Sequence, residues 1–567
     1  VKNFLKASFA VGVALVALSV NSQAQTVAVN GLGSSAIFLE LGLAASSATT
    51  ASPAGLGATC LWTENTNTVV ATDTSISGQS LTDKGSAFVA WTPGTGSCAA
   101  PVSPTIYAYL QTDSVVGNRC LFNGANGAKC TIAYPTTDPA PANIILSSGE
   151  VSLPTAIANA LNSTVNNVNV PNVAGTDIRP EDAEFAITRA TTPCGTAVAT
   201  GSQYLGLGYA ADGSTPIKSF FSTSTFNVIP FTLPANYKVT SVGATPIVVV
   251  VNSSSATTGF NTSGITNLTH QALANFLDGT YSYTGQALSS PTQTGSKVFT
   301  IVREPLSGTY NTMEYNVPNT TVLKTSQDVG VNQPSAQKNC NGTVPLSNPM
   351  NIGTPSTGAR QRAIGTGQEL TEVATTTSNA TLGYGFWSVG NFKGFTGTGG
   401  SQFARYLTVD GVDPLLKSTV PYSTYNGTLP LAGSAEIANV DLSSVSVATG
   451  GYPIWSLLRL VNAGTSVPTA VTELATASQN FVPTGTTAAR PDFLKASNLS
   501  VVRSHFIPPA GTIQPTTAAN GSGSDSASKC TSPELGGDVG GVVYALTTDS
   551  TYCAQHGVTT GHTGQRN

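Results

Sequence analysis

Apolar positions in this chain fall into short runs separated by turn residues, a pattern that predicts a mixed α/β protein. Pro246 to Val251 (PIVVVV) is continuous and β-branched, as expected of a strand buried on both faces. Thr269 to Leu277 follows with Ala272, Leu273, Phe276 and Leu277 at helical spacing, Thr269 as N-cap and Gly279 just past the end. Val298 to Val302 and Ile454 to Val461 predict two more strands, and strand, helix, strand over 246–302 suggests a β-α-β unit. Ile144 to Leu146 reads as a strand end, and Pro154 to Leu161 and Pro180 to Phe185 as helical. Residues 61–141 are turn-rich and 311–367 are rich in Asn, Pro, Thr and Ser, so both read as insertions, with 515–528 as a flexible linker. No repeat of fixed period is present, which disfavours solenoids and propellers.

The front of the chain changes this picture. Lys2 and Lys6 precede an apolar stretch from Ala7 to Val20, broken by Ser8, Gly12 and Ser19, and Ser22-Gln23-Ala24 supplies small residues at a cleavage site. Residues 1–24 therefore read as a secretory signal peptide. No Cys precedes Cys60, which closes the lipoprotein route, and no later run of 18 apolar residues predicts a membrane span. Export to the periplasm or cell surface is expected. The charge balance agrees: 24 Lys+Arg against 28 Asp+Glu give a net charge of −4, and only 9% of the 567 residues are charged while 40% are hydrophobic. Charge-driven disorder is excluded, and nucleic acid is not an expected partner because there is no basic run to release counterions.

Eight Cys suit an oxidising compartment. Sequence proximity favours Cys60 with Cys98, Cys120 with Cys130 and Cys530 with Cys553, leaving Cys194 and Cys340. No CxxC occurs and the four His are scattered, although Cys553, His556 and His562 lie close together. That tail could be a zinc site or a bridged Cys in a polar segment. No cofactor is expected.

Four Gly and hydroxyl motifs stand near apparent strand ends or helix starts. They are Gly31-Leu32-Gly33-Ser34-Ser35-Ala36, Ser147-Ser148-Gly149, Gly175-Thr176-Asp177, and Arg303-Glu304-Pro305-Leu306-Ser307-Gly308-Thr309. Their shared logic is anion binding: helix N-termini offer free N–H groups, Gly permits close approach, and hydroxyls and a guanidinium add donors. Each motif also has a plainer reading. Ser35 and Ser147 could be simple turn residues, Asp177 an N-cap, and Arg303 the partner of Glu304 or another acid in a surface ion pair.

In this order the motifs resemble those of the periplasmic phosphate-binding proteins, the substrate-binding subunits of phosphate ABC transporters. The resemblance implies a two-lobed type 2 periplasmic-binding fold with β-rich and loop-rich insertions. Lobe one would comprise 25–245 with the insertion 61–141, and lobe two 246–439 with the insertion 311–367. Residues 440–567 would return to lobe one and end in a tail. The implied ligands of the anion are Ser35, the Ala36 amide, Ser147, Asp177, Arg303, Ser307, Gly308 and Thr309. Asp177 would accept the proton of hydrogen phosphate and so disfavour sulfate. The chain departs from the family in having Ser35-Ala36 in its first loop and Pro305 two residues after Arg303, where the family usually places an Asp.

The expected function is capture of phosphate or a similar tetrahedral oxyanion between the lobes and delivery to an inner-membrane ABC permease. Two other readings remain: a Ser/Thr-rich surface or matrix protein retaining the fold, and a secreted phosphatase-like hydrolase. No catalysis is expected, since neither a GxSxG elbow nor HExxH is present.

Overall fold

The computed structural model describes residues 25–75 and 80–180 without interruption, and shorter runs within 183–184, 231–317, 360–495, 501–503 and 542–544. The signal peptide, the linker, the last four Cys, Glu304, Pro305 and all His except His270 lie outside the described residues. So do three of the six residues of the helix expected over 180–185, of which Pro180, Ala183 and Glu184 are described and helical.

A twelve-stranded mixed sheet organises the chain. Ten of its strands are β1 (Thr26–Ser34), β2 (Cys60–Glu64), β3 (Ala87–Trp91), β4 (Thr105–Thr112), β5 (Val173–Thr176), β6 (Tyr237–Asn252), β7 (Val298–Arg303), β8 (Arg360–Ala363), β9 (Ala380–Phe386) and β10 (Trp455–Ala463). Their order across the sheet is β8-β7-β9-β6-β10-β5-β1-β4-β3-β2, and Ala404–Tyr406 and Leu494–Lys495 also pair with β6.

The apolar run at 246–251 is the second part of β6, a strand of 16 residues that serves two partners. Residues 237–246 pair with β10, and 247–251 pair with β9. The boundary expected at 245/246 thus falls inside one continuous strand. Strand, helix, strand does occur over 237–303, but β9 intervenes between β6 and β7, so no parallel β-α-β neighbour pair forms there.

Strand direction places the site. β1, β4 and β5 are mutually parallel, and so are β7, β8 and β9. β6 runs antiparallel to both β10 and β9, while β10 is antiparallel to β5. The two parallel sets therefore run in opposite senses, with their carboxyl ends facing each other beside the middle of β6. Crevices outside the carboxyl ends of parallel strands are where ligands bind in open α/β sheets.

Among the helices that pack against these strands are α1 (Phe38–Ser46), α2 (Ser114–Ala125), α3 (His270–Leu277), α4 (Gly308–Asn316) and α5 (Thr366–Thr375). Thr269 caps α3 as its sequence predicts, its Oγ1 accepting from the Ala272 N–H at 3.1 Å. The largest apolar cluster surrounds the second part of β6 with Phe276, Leu277, Ile301 and Leu382. Around β1 and α1 a separate cluster gathers Ile37, Leu41, Phe88 and Leu460.

Residues 61–141 are not an appendage. They supply β3, β4, α2 and nearly all of β2, with a small side sheet of Val70–Asp73, Leu81–Lys84 and Cys130–Ala133. Residues 311–367 likewise carry most of α4 and all of β8. Two disulfides match the proximity pairing: Cys60–Cys98 ties β2 to the loop after β3, and Cys120–Cys130 ties α2 to the side sheet. Ile144–Leu146 forms a bend rather than a strand.

Candidate oxyanion site

Each of the loops at the facing carboxyl ends is fixed by its own local chemistry. After β1 the chain turns through a 3-10 segment, Ser35–Ile37, whose start is capped by Ser34: its Oγ accepts from the Ala36 N–H at 3.2 Å. The Tyr109 hydroxyl donates to the Ser34 carbonyl at 2.9 Å and pins this turn. Gly33 has φ +132°, and a Cβ there would stand 2.1 Å from the Gly175 carbonyl oxygen, so only glycine lets β1 and β5 approach this closely.

After β5 comes Asp177, 2% exposed. Its Oδ1 accepts from the Ser114 hydroxyl at the start of α2, and its Oδ2 accepts from Thr309 Oγ1 at 3.3 Å. Ser114 Oγ in turn accepts from the Asp177 N–H at 3.2 Å. Ser307 is the N-cap of α4, its Oγ accepting from the Tyr310 N–H at 3.3 Å. At Gly308 an added Cβ would lie 1.8 Å from Asp177 Oδ1 and 2.6 Å from Ser114 Oγ, so the start of α4 rests directly on the carboxylate.

Arg303 ends β7 and is 3% exposed. Its Nη1 donates to Thr366 Oγ1, and its Nη2 lies 3.4 Å from Asp113 Oδ1. Arg303 and Asp113 line a cavity of about 650 Å³ together with Ser35, Ala36, Thr366 and Ser388, so both parallel sets contribute walls. Glu40 and Asp492 also line it. Here the Asp492 N–H donates to Glu40 Oε1 at 3.1 Å, and Asp492 Oδ1 accepts from the Val389 N–H at 2.9 Å. Burial pushes Asp492 up to about 7, and burial together with the neighbouring Asp492 charge raises Glu40 well above the usual carboxylate range.

The structure thus brings Asp177, Ser307, Gly308 and Thr309 together, and sets Ser35, Ala36 and Arg303 on one cavity. Ser147 is placed elsewhere. It is exposed on a loop and does not line that cavity. The amides before it do hold an anion, but an internal one: the Glu150 carboxylate accepts from the N–H groups of Asn143, Ile145 and Leu146 at 2.9, 3.1 and 2.9 Å. The serine that reaches Asp177 is Ser114, inside the stretch read as an insertion. Its signal was the apolar strand Thr105–Thr112 running into Asp113-Ser114, a strand end followed by a helix start. Among the described residues no group of three or more His, Cys, Asp or Glu is placed to hold a metal ion.

Burial pushes the Asp177 carboxyl up to about 6; its own backbone N–H, the Arg303 charge, the Thr309 hydroxyl and the Arg459 charge oppose that rise. The unfolded group titrates near 3.8. Between these values the folded chain holds more protons than the unfolded one, so Asp177 makes stability fall as pH rises through that window, with the full penalty present above it. Asp177→Asn removes the ionisation and keeps the shape. In phosphate-free buffer the variant is expected to exceed wild type by about 2 kcal/mol at pH 8 and to match it near pH 4, read by urea unfolding. A variant less stable than wild type at pH 8 would contradict this.

No protein-family model matches the sequence, and no curated protein does. Solved structures give partial matches. A putative phosphate ABC transporter substrate-binding protein with bound phosphate from Clostridium perfringens is 12% identical, with 42% of this chain and 65% of that chain covered and a TM-score of 0.23. An ABC-type phosphate transport receptor from Vibrio cholerae is 13% identical, with 43% and 66% covered and a TM-score of 0.23. A phosphate-binding protein from Stenotrophomonas maltophilia is 13% identical, with 58% and 81% covered and a TM-score of 0.24. The chain spans just under two thirds of the length of the first two. It is distantly similar in structure, over part of its length, to phosphate-binding proteins of ABC transporters.

Proposed function

We propose that this chain is an exported binding protein that captures phosphate, or a closely similar tetrahedral oxyanion, between the two facing sets of strand ends and delivers it to a membrane permease. The observation that carries this reading is the convergence of Asp177, Ser114 and the Ser307-Gly308-Thr309 helix start, with Asp113, the residue before Ser114, on the wall of a cavity also faced by Arg303 and the Ser35-Ala36 turn. Amides and hydroxyls supply most donors, the Arg303 guanidinium supplies charge, and the Asp177 carboxylate supplies an acceptor that a fully deprotonated anion cannot use. The scarcity of formal charge in the whole chain suits such a site. Two disulfides fit an oxidising compartment, and among the described residues no helix is long and apolar enough to cross a membrane.

An acceptor-only carboxylate in the site makes a sharp distinction between anions. Hydrogen phosphate donates its P–OH proton to Asp177, while sulfate leaves that carboxylate facing negative charge. Isothermal titration at neutral pH is expected to show phosphate binding and sulfate at least about a hundredfold weaker. Folded protein that takes up no phosphate at millimolar concentration would end this reading.

A further inference from the structure

Asp113 occupies the N-cap position of α2 but makes no capping hydrogen bond with its side chain. Asp in this position ordinarily accepts from the N–H groups of the first helical turn. Here its carboxylate reaches across the cavity to Arg303, 190 residues along the chain and at the end of the other parallel set of strands. The two side chains are 14% and 3% exposed. The guanidinium is therefore engaged on one arm by Thr366 and on the other by a carboxylate from the opposite wall.

We propose that Asp113 is a specificity-determining residue of the oxyanion site, a built-in carboxylate that competes with the ligand for Arg303. The assignment rests on the reading that Arg303 meets the anion. An incoming oxyanion must replace the Asp113 oxygen or share the guanidinium with it, so the attraction it gains is net of the attraction Asp113 loses. A doubly charged tetrahedral anion wins that exchange. A singly charged anion such as nitrate offers no more charge than the carboxylate already there, and is turned away. The pair also bridges the two walls, so the exchange couples anion entry to the contact between them.

The test compares wild type with Asp113→Asn and Asp113→Ser, the second restoring a good helix cap without charge. Titration with phosphate at pH 8 is expected to show both variants binding about tenfold more tightly, with nitrate binding becoming measurable. In the double variant Asp113→Asn/Arg303→Met the gain should vanish. A purely structural role for Asp113 would instead weaken binding of every anion. Unchanged or weaker phosphate binding in both single variants, with wild-type thermal unfolding, overturns the assignment. If wild type itself binds no phosphate, the transport reading fails separately. Asp113 is then judged from the single variants alone: an anion site that appears with Arg303 present and disappears without it supports the proposal, and no such site refutes it.

Discussion

Arg303→Met is expected to lower phosphate affinity by two to three orders of magnitude, on the order of what two charge-assisted hydrogen bonds contribute. Arg303 is a cation lining the cavity at 3% exposure, held between Thr366 and Asp113, so its fork is oriented before any ligand arrives. Met keeps much of the length and apolar stem while removing both donors and the charge. The loss should be larger than the simple absence of attraction, because Asp113 then faces the cavity with no guanidinium beside it and repels the anion. Arg303→Lys separates the two contributions. It keeps a point charge without the planar fork and is expected to recover roughly half of the lost free energy. Calorimetric titration of both variants reads this directly, and Arg303→Met binding within about threefold of wild type would remove Arg303 from the site.

Gly308→Ala should be comparably damaging, for a steric reason. The new methyl carbon would stand 1.8 Å from Asp177 Oδ1, 2.4 Å from its Cγ and 2.6 Å from Ser114 Oγ. Neither neighbour is the free end of a flexible side chain. Asp177 is fixed at the end of β5 by Ser114 and Thr309, and Ser114 by the start of α2. Relief must come from displacing the α4 start or the carboxylate, and either separates the groups that converge on the anion. A destabilisation of about 1 to 3 kcal/mol is expected, as for other overpacked positions, with phosphate binding weakened about a hundredfold or more. On helix propensity alone Ala would be favoured over Gly by roughly 1 kcal/mol, so the sign of the change isolates the close contact. A variant that unfolds at or above the wild-type temperature and still binds phosphate normally would show that α4 does not rest on Asp177.

Some of this site is legible from local sequence, because its chemistry is local. Val298 to Val302 running into Arg303 and then Ser307-Gly308-Thr309 is a strand end followed by a capped helix start, and the structure forms it that way. Thr269 as a cap and the Cys60–Cys98 and Cys120–Cys130 pairs depend on short separations and are read equally well. Ser147 shows the limit. A Ser-Ser-Gly bend looks the same whether its neighbouring amides face a ligand or an internal carboxylate, and only Glu150, one residue past Gly149, hinted at the second. Ser114 was hidden for a different reason: turn-rich loops flank β2 and β3 and precede β4, and composition averaged over 61–141 reports those loops rather than the direct passage from β4 through Asp113 into α2. The change of partner along β6 falls between Pro246 and Ile247, and a periodicity argument cannot say whether the facing strand is β10 or β9, because the strand is buried on both sides of that point.

A crystal structure of the protein grown with phosphate tests the central claim most directly. A tetrahedral anion is expected between the two sets of strand ends, with a donor hydroxyl on Asp177 and oxygens within hydrogen-bonding reach of Ser114, the Ser307-Gly308-Thr309 helix start, the Ala36 amide and Arg303. Phosphate bound on the Ser147 loop, or the Asp177 cluster unchanged at saturating phosphate with no anion beside it, would contradict the account.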